Sequence, residues 1–371
     1  MLIGVMSVVI VILNLVLKKS KLLYLVTFFW MWLLMAGTYG IADESIYISR
    51  YNNPSIWSLT TEFLYFWIIL LCNNLGMSFV EFKVIITFVQ LILIFSTIWK
   101  YGTYPNIVVA LYFLFPFPLH IAQMRSALAT SIFIWGLRYI IQDNEPIKDK
   151  KLKLTSNDIK YICTVVVASC IHTASIGWLV LLIAKKMSVK FNIMFAFISN
   201  ILILFVFSPE NILRIINIFG GGTRISAYFS EAYQLSSARQ YGNLIGIIFT
   251  SIIFIILAAY LLRHNKTVTE SKQAGLLMRC NISILFTLSV VVRYTGEVYR
   301  LQEGMVILNL LLVLNLIDSN KFYINKISKH NLIVIIGLLL YTIGIIWIRL
   351  LRSLIPTIVL PILKNNLFIH F

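Results

Sequence analysis

Residues 159–184 read IKYICTVVVASCIHTASIGWLVLLIA, an apolar stretch that is long for a single membrane crossing. A crossing helix needs about 20 apolar residues, and the pair His172-Thr173 interrupts this stretch near its centre. Irregular backbone at membrane depth is tolerated where it lines a cavity inside the protein. The pattern therefore predicts a hairpin that enters the membrane, turns back near His172 and leaves on the side from which it came.

The whole chain has the composition of a polytopic membrane protein. Of its 371 residues, 60% are hydrophobic and 12% are charged, and the mean hydropathy is +0.89. Soluble domains are about 45–50% apolar and about 25% charged. We expect one all-α integral membrane domain, residues 1–371, with about ten to twelve transmembrane helices and re-entrant or interfacial elements. The candidate apolar segments are 2–17, 21–40, 62–79, 82–99, 104–120, 124–141, 159–184, 190–207, 242–262, 276–292, 301–318 and 331–348.

The net charge of +17, from 31 Lys+Arg against 14 Asp+Glu, is dispersed over the loops between these segments. Short cytoplasmic loops of membrane proteins are enriched in Lys and Arg, whereas a nucleic-acid-binding domain gathers them on one face. We therefore expect the lipid bilayer, and no nucleic acid, as a partner. Three lysine clusters mark expected cytoplasmic loops, at 18–21, 148–153 and 321–329.

The side of the membrane that these lysine clusters face indicates whether segments 62–79 and 159–184 cross it. If each segment crossed the membrane once, the lysines at 148–153 would face outward, against the positive-inside rule. Segment 62–79 contains Glu62 and two asparagines, which favour an interfacial or re-entrant position. If neither segment crosses as one span, every lysine cluster faces the cytoplasm. Two long loops then face outward, 41–61 and 208–241.

The outward loop 41–61 and its borders combine carboxylates with aromatic side chains. Asp43 and Glu62 flank a run that contains Tyr47 and Tyr51. A carboxylate within hydrogen-bond reach of a substrate hydroxyl serves as a general base, whereas the same composition also suits an aromatic belt at the membrane interface. Both interpretations stay open from the residue types alone.

Two residues inside apolar segments are costly to insert and point to a polar cavity. Arg125 opens an apolar helix after Pro116 and Pro118. The N-terminus of a helix attracts anions and a guanidinium matches phosphate oxygens, so we favour phosphate binding over a snorkelling arginine. His172 lies at the predicted helix break, which favours proton transfer over a structural hydrogen bond. His120 is expected to be a satisfied histidine.

Further charges are expected on the outer side. Loop 208–241 is the longest segment between apolar stretches and contains Arg224 and Arg239, and long loops on a rigid scaffold commonly carry binding residues. The turn after segment 276–292 carries charges of alternating sign: Arg293, Glu297, Arg300 and Glu303. Mutual ion pairing and substrate contact are both open for this turn. Arg349, near the end of the last segment, is expected to snorkel.

Metal and nucleotide sites are not indicated by any motif. The chain lacks a P-loop, a zincin helix motif and a nucleophile elbow, and its four cysteines have no zinc-ligand spacing. We expect no metal and no cofactor, so the energy for a reaction comes from the substrate or from a gradient. The cysteines are Cys72, Cys163, Cys170 and Cys280, all in apolar segments.

Three short motifs resemble the EpsG family within the Wzy-type O-antigen and exopolysaccharide polymerases. The first comprises Asp43, Tyr47, Tyr51 and Glu62. The second, residues 125–129, keeps the Arg and the Leu-Ala of the family's Arg-Gln-Gly-Leu-Ala helix start, with Ser126 and Ala127 at the Gln and Gly positions. The third is a small-x-x-His-x-Ser/Ala run, residues 168–175 around His172. By hydropathy, the resemblance covers most of the chain.

The resemblance implies a fold similar to membrane glycosyltransferases that use polyprenyl-linked donors. It implies a polymerase that joins repeat units carried on undecaprenyl diphosphate, on the outer face of the bacterial inner membrane, with a chain-length regulator protein as a candidate partner. His172 would assist the leaving group or the acceptor, and Asp43 or Glu62 would be the base. The candidate diphosphate-binding residues are Arg125 with Arg293 or Arg300, and additionally Arg224 and Arg239.

Two other functions share this architecture. A membrane acyltransferase also combines about ten helices with membrane His and Arg, but its acyl donor needs a cytoplasmic or transmembrane path, and the cations here are expected on the outer side. A flippase or secondary transporter commonly shows repeated halves and broken helices, and no matching halves are evident in this sequence. Both functions remain alternatives to polymerisation.

Overall fold

The structure is a computed structural model, and its described part is helical. An isolated β-bridge joins Thr38 and Asn366, and the remaining regular elements of this part are helices, which confirms the predicted all-α class. The structure describes residues 2–54, 62–141, 154–207, 237–264, 267–294, 296–317, 328–351 and 354–369, except for the side chains of 237–240 and 297.

The described α-helices are numbered in chain order as α1 (Leu2–Val16), α2 (Lys21–Gly37), α3 (Glu44–Asn52), α4 (Phe63–Asn74), α5 (Phe79–Tyr101), α6 (Pro105–Leu114), α7 (Phe117–Ala122), α8 (Met124–Gly136), α9 (Arg138–Ile141), α10 (Ser156–Ile171), α11 (Val180–Lys186), α12 (Val189–Ile201), α13 (Ser237–His264), α14 (Val268–Ser283), α15 (Thr287–Arg293), α16 (Tyr299–Leu314), α17 (Lys329–Ile346) and α18 (Leu360–Lys364). Short 3₁₀ or π segments connect or extend them at Thr173–Leu179, Leu202–Val206, Ile284–Phe286, Gly296–Val298, Trp347–Leu351 and Ile355–Val359.

Several predicted spans are broken into shorter helices, within an architecture that is polytopic as expected. The predicted span 104–120 becomes α6 and α7, because α6 ends before Pro116 and proline cannot continue a helix. In the described residues, five continuous segments are long and apolar enough to cross a membrane. They are Phe79–Tyr101, Val189–Val206, Tyr241–His264, Val268–Arg293 and Lys329–Leu351.

Helix α16 lies at the centre of the bundle. Its residues from Tyr299 to Leu314 are buried, with the exception of Arg300, which is half-buried. A helix that is apolar around its whole circumference is buried inside a protein or a membrane bundle. Asn309 of this helix exchanges amide hydrogen bonds of 2.8 and 3.1 Å with Asn281 of α14, which is the interhelical polar contact expected where lipid offers no partner.

Residues 156–186 form the predicted hairpin. At its base, Lys185 and Lys186 lie 3.0 and 2.6 Å from the carboxylate of Asp158. Higher up, the Tyr161 hydroxyl donates to the Trp178 carbonyl over 2.8 Å. The two arms therefore run antiparallel, and α10 packs against the 3₁₀ segment that follows it. The tip of the hairpin is His172, which ends α10 with an extended backbone.

The segment between α2 and α5 contains two short helices. Helix α4 has 12 residues, or about 18 Å at 1.5 Å per residue, which is short of the roughly 30 Å hydrocarbon core. This length agrees with the prediction that 62–79 does not cross as one span. Helix α3 lies inside the predicted loop 41–61, where Tyr51 donates to the Met77 carbonyl over 2.7 Å.

Two chain segments differ from the sequence-based boundaries. Helix α13 begins at Ser237, inside the predicted loop 208–241, and residues 208–236 lie outside the described part of the structure. An apolar helical segment, Ile355–Lys364, follows the last predicted span. It was missed because Pro356 and Pro361 interrupt its helical pattern. The residues after it are fixed to α2, since the Leu367 amide donates to the Gly37 carbonyl over 2.9 Å.

Candidate active site

Glu62 is the centre of a buried polar cluster. It precedes α4 and is 6% exposed. One carboxylate oxygen, Oε2, lies 2.5 Å from Nη1 of Arg125. The other, Oε1, accepts from the Thr173 amide over 3.2 Å and lies 3.2 Å from Nδ1 of His172. A buried carboxylate is stable only when it is paired and hydrogen-bonded, and these contacts supply both conditions.

Arg125 reaches the cluster from the start of α8. It is the second residue of that helix and is 7% exposed. The helix begins after a break at Gln123, and Gln90 of α5 fixes this break by donating to the Met124 carbonyl over 2.8 Å. The expected position at a helix N-terminus is therefore correct. In the described state, its guanidinium is paired with a carboxylate of the protein.

The contacts of His172 determine its tautomer. Nε2 lies 3.2 Å from Nη1 of Arg300, and a guanidinium nitrogen is a donor only. Nε2 must therefore carry the lone pair, which leaves the proton on Nδ1, where it is donated to Glu62. His172 is a neutral imidazole whose orientation is set by a carboxylate on one side and an arginine on the other. Its burial at 6% exposure is consistent with the neutral form.

Four residues thus form one continuous chain of contacts, in the order Arg125, Glu62, His172 and Arg300. They come from four parts of the sequence: the segment before α4, the start of α8, the hairpin tip and the start of α16. Arg300 is half-buried and is therefore the less buried of the two arginines. The cluster contains charges of both signs, and the helices around it are apolar.

Comparison with protein families identifies the chain. A family model described as the EpsG family matches residues 21–358, which is nearly the whole sequence. The chain belongs to the EpsG family. This family is one of Wzy-like polymerases, so at family level the chain is a membrane polysaccharide polymerase. Comparison with curated proteins and with solved structures gave no match.

In the first motif of this EpsG-family chain, Tyr47 borders the cluster and Asp43 lies near Tyr47. Burial raises the pKa of the Tyr47 phenol, while the positive charges of Arg125 and Arg300 act in the opposite direction, so Tyr47 lies near both guanidinium groups. Asp43 is exposed and contributes to the same electrostatic balance. Its φ of 67° places it in the left-handed region, and backbone strain of this kind is concentrated at functional sites.

The other predicted arginines are not joined to this cluster by the described contacts. Arg293 ends α15 and its side chain is exposed. Arg224 and the side chain of Arg239 lie outside the described residues. Within the described residues, no group of three or more His, Cys, Asp or Glu side chains is placed to hold a metal ion.

A second polar cluster lies beside the first on α16. Arg349 places its guanidinium 3.7 Å from the ring centre of Tyr299. It donates to Asn243 and lies 3.4 Å from Glu303. The prediction that Arg349 snorkels is therefore wrong, because the buried carboxylate of Glu303 needs a cation. Of the charges in this turn, Arg300 contacts His172 and Glu303 contacts Arg349.

Sequence reasoning missed the contacts of Arg349 and the backbone contribution of Thr173. A signal for the first was present, because Glu303 is a single acidic residue in an apolar helix and such a residue requires a cationic partner. The second had no signal, since the direction of a backbone amide depends on the turn at the hairpin tip. His120 is satisfied as expected, with Nδ1 2.9 Å from the Tyr112 hydroxyl.

Proposed function

We propose that this protein joins oligosaccharide repeat units carried on undecaprenyl diphosphate, on the outer face of the bacterial inner membrane. The observation that carries the proposal is the contact chain from Arg125 through Glu62 and His172 to Arg300 in a chain of the EpsG family. It combines cations for a leaving diphosphate with a histidine whose protonation state is set by its neighbours.

The two arginines are assigned to the diphosphate leaving group. When the glycosidic carbon–oxygen bond to the carrier breaks, negative charge develops on the diphosphate oxygens, and fixed cations stabilise that charge. Arg300 is the less buried of the two and makes the first contact. Arg125 makes the second contact, so that its guanidinium binds both Glu62 and the diphosphate. The N-terminus of its helix adds the backbone dipole. Arg293, Arg224 and Arg239 remain candidates for outer contacts with the carrier or the sugars.

His172 is assigned to the acceptor hydroxyl. In the described state, its Nε2 lone pair is occupied by Arg300. When the diphosphate draws Arg300 away, that lone pair becomes able to accept a proton. The acceptor oxygen then attacks the anomeric carbon, its proton passes to Nε2, and the carrier diphosphate departs. Glu62 stabilises the resulting imidazolium at Nδ1, the role that an orienting carboxylate has in a catalytic triad.

The two carboxylates proposed from the sequence have different roles in this scheme. Glu62 accepts hydrogen bonds from Arg125 and Thr173, and such contacts lower the basicity of a carboxylate. It is therefore proposed as a positioning residue. Asp43 is exposed beside Tyr47, so it is the carboxylate that would act if the base is not His172. Tyr47 is a neutral donor for the substrate.

The proposed reaction needs no cofactor, because cleavage of the diphosphate–sugar bond supplies its energy. The proposed partners are the undecaprenyl-diphosphate-linked oligosaccharide, the lipid bilayer and a chain-length regulator protein. The reaction transfers the growing chain from its carrier to the non-reducing end of a new unit.

Deletion of the gene, followed by gel analysis of surface polysaccharide, tests the function. We expect single repeat units on the carrier or lipid core and no long chains. Full-length chains that lack a substituent would indicate an acyltransferase instead. The absence of any displayed unit would indicate a flippase. Complementation with the intact chain should restore the long polymer.

A further inference from the structure

An aromatic groove between α2 and α5 is separate from the site described above. It encloses a cavity of about 460 Å³, and its lining includes six aromatic rings. Lys21, Leu25, Phe29 and Trp99 are among the residues that line it. Leu25 and Phe29 are about half exposed, at 55% and 50%, so the groove opens sideways from the helix pair.

The floor of the groove is preformed. The Tyr24 hydroxyl donates to the Phe95 carbonyl over 2.7 Å. The Tyr24 ring lies 4.9 Å from the rings of both Phe95 and Trp99, and the ring centres of Phe28 and Phe88 are 5.5 Å apart. Rings that are locked against each other in this way keep a concave surface open without a ligand, as binding pockets require.

One end of the groove is cationic. Lys21 lines it and is exposed, and in the described part of the chain its amine has no hydrogen bond or ion pair. It follows Lys18 and Lys19 in the turn between α1 and α2. Basic residues at the membrane surface attract anionic lipid headgroups, so the charge of this end complements a phosphate.

The length of the groove matches one leaflet. Lys21 and Phe29 are eight residues apart on one helix, or about 12 Å at 1.5 Å per residue. Half of the hydrocarbon core is about 15 Å. An acyl chain whose headgroup lies at Lys21 therefore extends along the rings and ends near the middle of the membrane.

The cationic end lies away from the candidate active site. The Arg125 end of α8 contacts α5 at Gln90, and Trp99 lies nine residues further along α5, which is about 14 Å. At its other end, α2 is connected to α5 through the hydrogen bond from Lys83 to the Thr38 carbonyl. A lipid headgroup at Lys21 is therefore in the leaflet opposite to the one from which a carrier reaches Glu62 and Arg125.

We propose that this groove binds an anionic phospholipid, with its phosphate at Lys21 and one acyl chain on the aromatic floor. Native mass spectrometry of the purified protein, with phosphatidylglycerol and phosphatidylethanolamine of identical acyl chains, tests the assignment. We expect a bound phosphatidylglycerol that survives detergent exchange. Its affinity should exceed that of phosphatidylethanolamine.

Two variants with matched controls locate the lipid. Lys21→Ala should weaken phosphatidylglycerol binding about fivefold, which is the contribution of one lysine to binding an anionic lipid surface. Lys19 is an exposed lysine outside the groove, so Lys19→Ala should leave the binding unchanged. Leu25→Trp fills the groove and should abolish binding. Leu22→Trp, which is 76% exposed and outside the lining, should leave it intact.

Three results would overturn the assignment. The first is equal binding of both phospholipids. The second is unchanged phosphatidylglycerol binding in Leu25→Trp. The third is displacement of phosphatidylglycerol by equimolar undecaprenyl phosphate from the wild type but not from Leu25→Trp, which would assign the groove to the carrier. These measurements do not depend on polymerase activity, so they are independent of the proposed function.

Discussion

At the scale of single residues, the site depends on a buried ion pair. Arg125 and Glu62 are both less than 9% exposed at their side chains, and isolated charges in such surroundings are strongly destabilising. The pair therefore has two roles, since each residue keeps the other charged, and in the proposed reaction Arg125 binds the diphosphate while Glu62 positions His172. These roles are separated by different substitutions.

Arg125→Ala should abolish long-chain polysaccharide. Arg125→Lys should restore little of it, because an ammonium cannot reproduce the planar fork of donors. The measurement is gel analysis of polysaccharide, normalised to the amount of inserted protein by membrane immunoblot. Wild-type chain length in the Ala variant would remove Arg125 from the site.

The stability role is tested by a double substitution. Glu62→Met alone removes the carboxylate paired with the buried guanidinium and should destabilise the protein by about 3–5 kcal/mol, whereas an apolar replacement of both partners is often neutral. Glu62→Met combined with Arg125→Met should therefore unfold at a higher temperature than Glu62→Met in the same detergent. Both proteins should lack polymerase activity. If the double variant is the less stable one, the pair does not behave as a buried ion pair.

His172 and His120 form a matched pair of buried histidines, at 6% and 3% exposure. His172→Asn should abolish chain elongation because asparagine has no titratable nitrogen. His120→Asn loses only the contact with Tyr112, so elongation per inserted molecule should persist. Elongation by the His172 variant at the wild-type rate would assign the base to another group, with Asp43→Asn as the next variant to measure.

At the scale of elements, the hairpin and α16 position His172 against Arg300. Their contact is close because two glycines remove side chains from it. A Cβ on Gly177 would lie 2.4 Å from the Leu301 side chain, and one on Gly304 would lie 2.5 Å from the Trp178 ring. Trp178 also donates to the Leu301 carbonyl over 3.0 Å. The return arm of the hairpin is thus held directly on the central helix.

Gly304→Val should separate this arm from α16. Overpacking costs about 1–3 kcal/mol, and the displaced arm moves His172 away from Arg300, so elongation should fall further than the protein level. Gly242→Ala is the control, because nothing lies within 4 Å of its added Cβ. It should leave both stability and elongation near wild-type values. The two quantities are read by thermal unfolding in detergent and by polysaccharide gel.

At the scale of the whole molecule, the main question is which side of the membrane each loop faces. Charge counting places Ser45 and Leu235 outside and Lys150 inside, provided that the hairpin returns to its side of entry. The hairpin geometry satisfies that condition, since Asp158 and Lys185 meet at one end. The proposed polymerisation on the outer face depends on this orientation.

Cysteine labelling of intact cells tests the orientation. The four native cysteines are first replaced, because Cys163 is exposed. Ser45→Cys and Leu235→Cys should then react with a membrane-impermeant maleimide, and Lys150→Cys should react only after permeabilisation. Labelling of position 150 alone in intact cells would reverse the orientation and exclude polymerisation on the outer face by this site.

Much of this architecture follows from local polarity. A hydropathy pattern identifies apolar segments, and interruptions such as His172-Thr173 identify broken ones, because an unsatisfied backbone at membrane depth is costly. The cost of placing an ionisable side chain in an apolar segment marked Arg125 and His172 as candidates. The helix bounds within 104–141 and the segment 355–364 were harder to predict from the sequence. Prolines and glycines there are compatible with several different helix ends.

The order of the residues is enough to predict an all-α membrane protein, the side that its lysines favour and the ionisable residues that are unusual. Which of those residues meet depends on how the helices pack. Glu62 is 63 positions from Arg125 and 110 from His172, and Arg300 is 128 positions from His172. Local periodicity carries no information across such separations, because packing of the hairpin against α8 and α16 alone brings these side chains within hydrogen-bond distance.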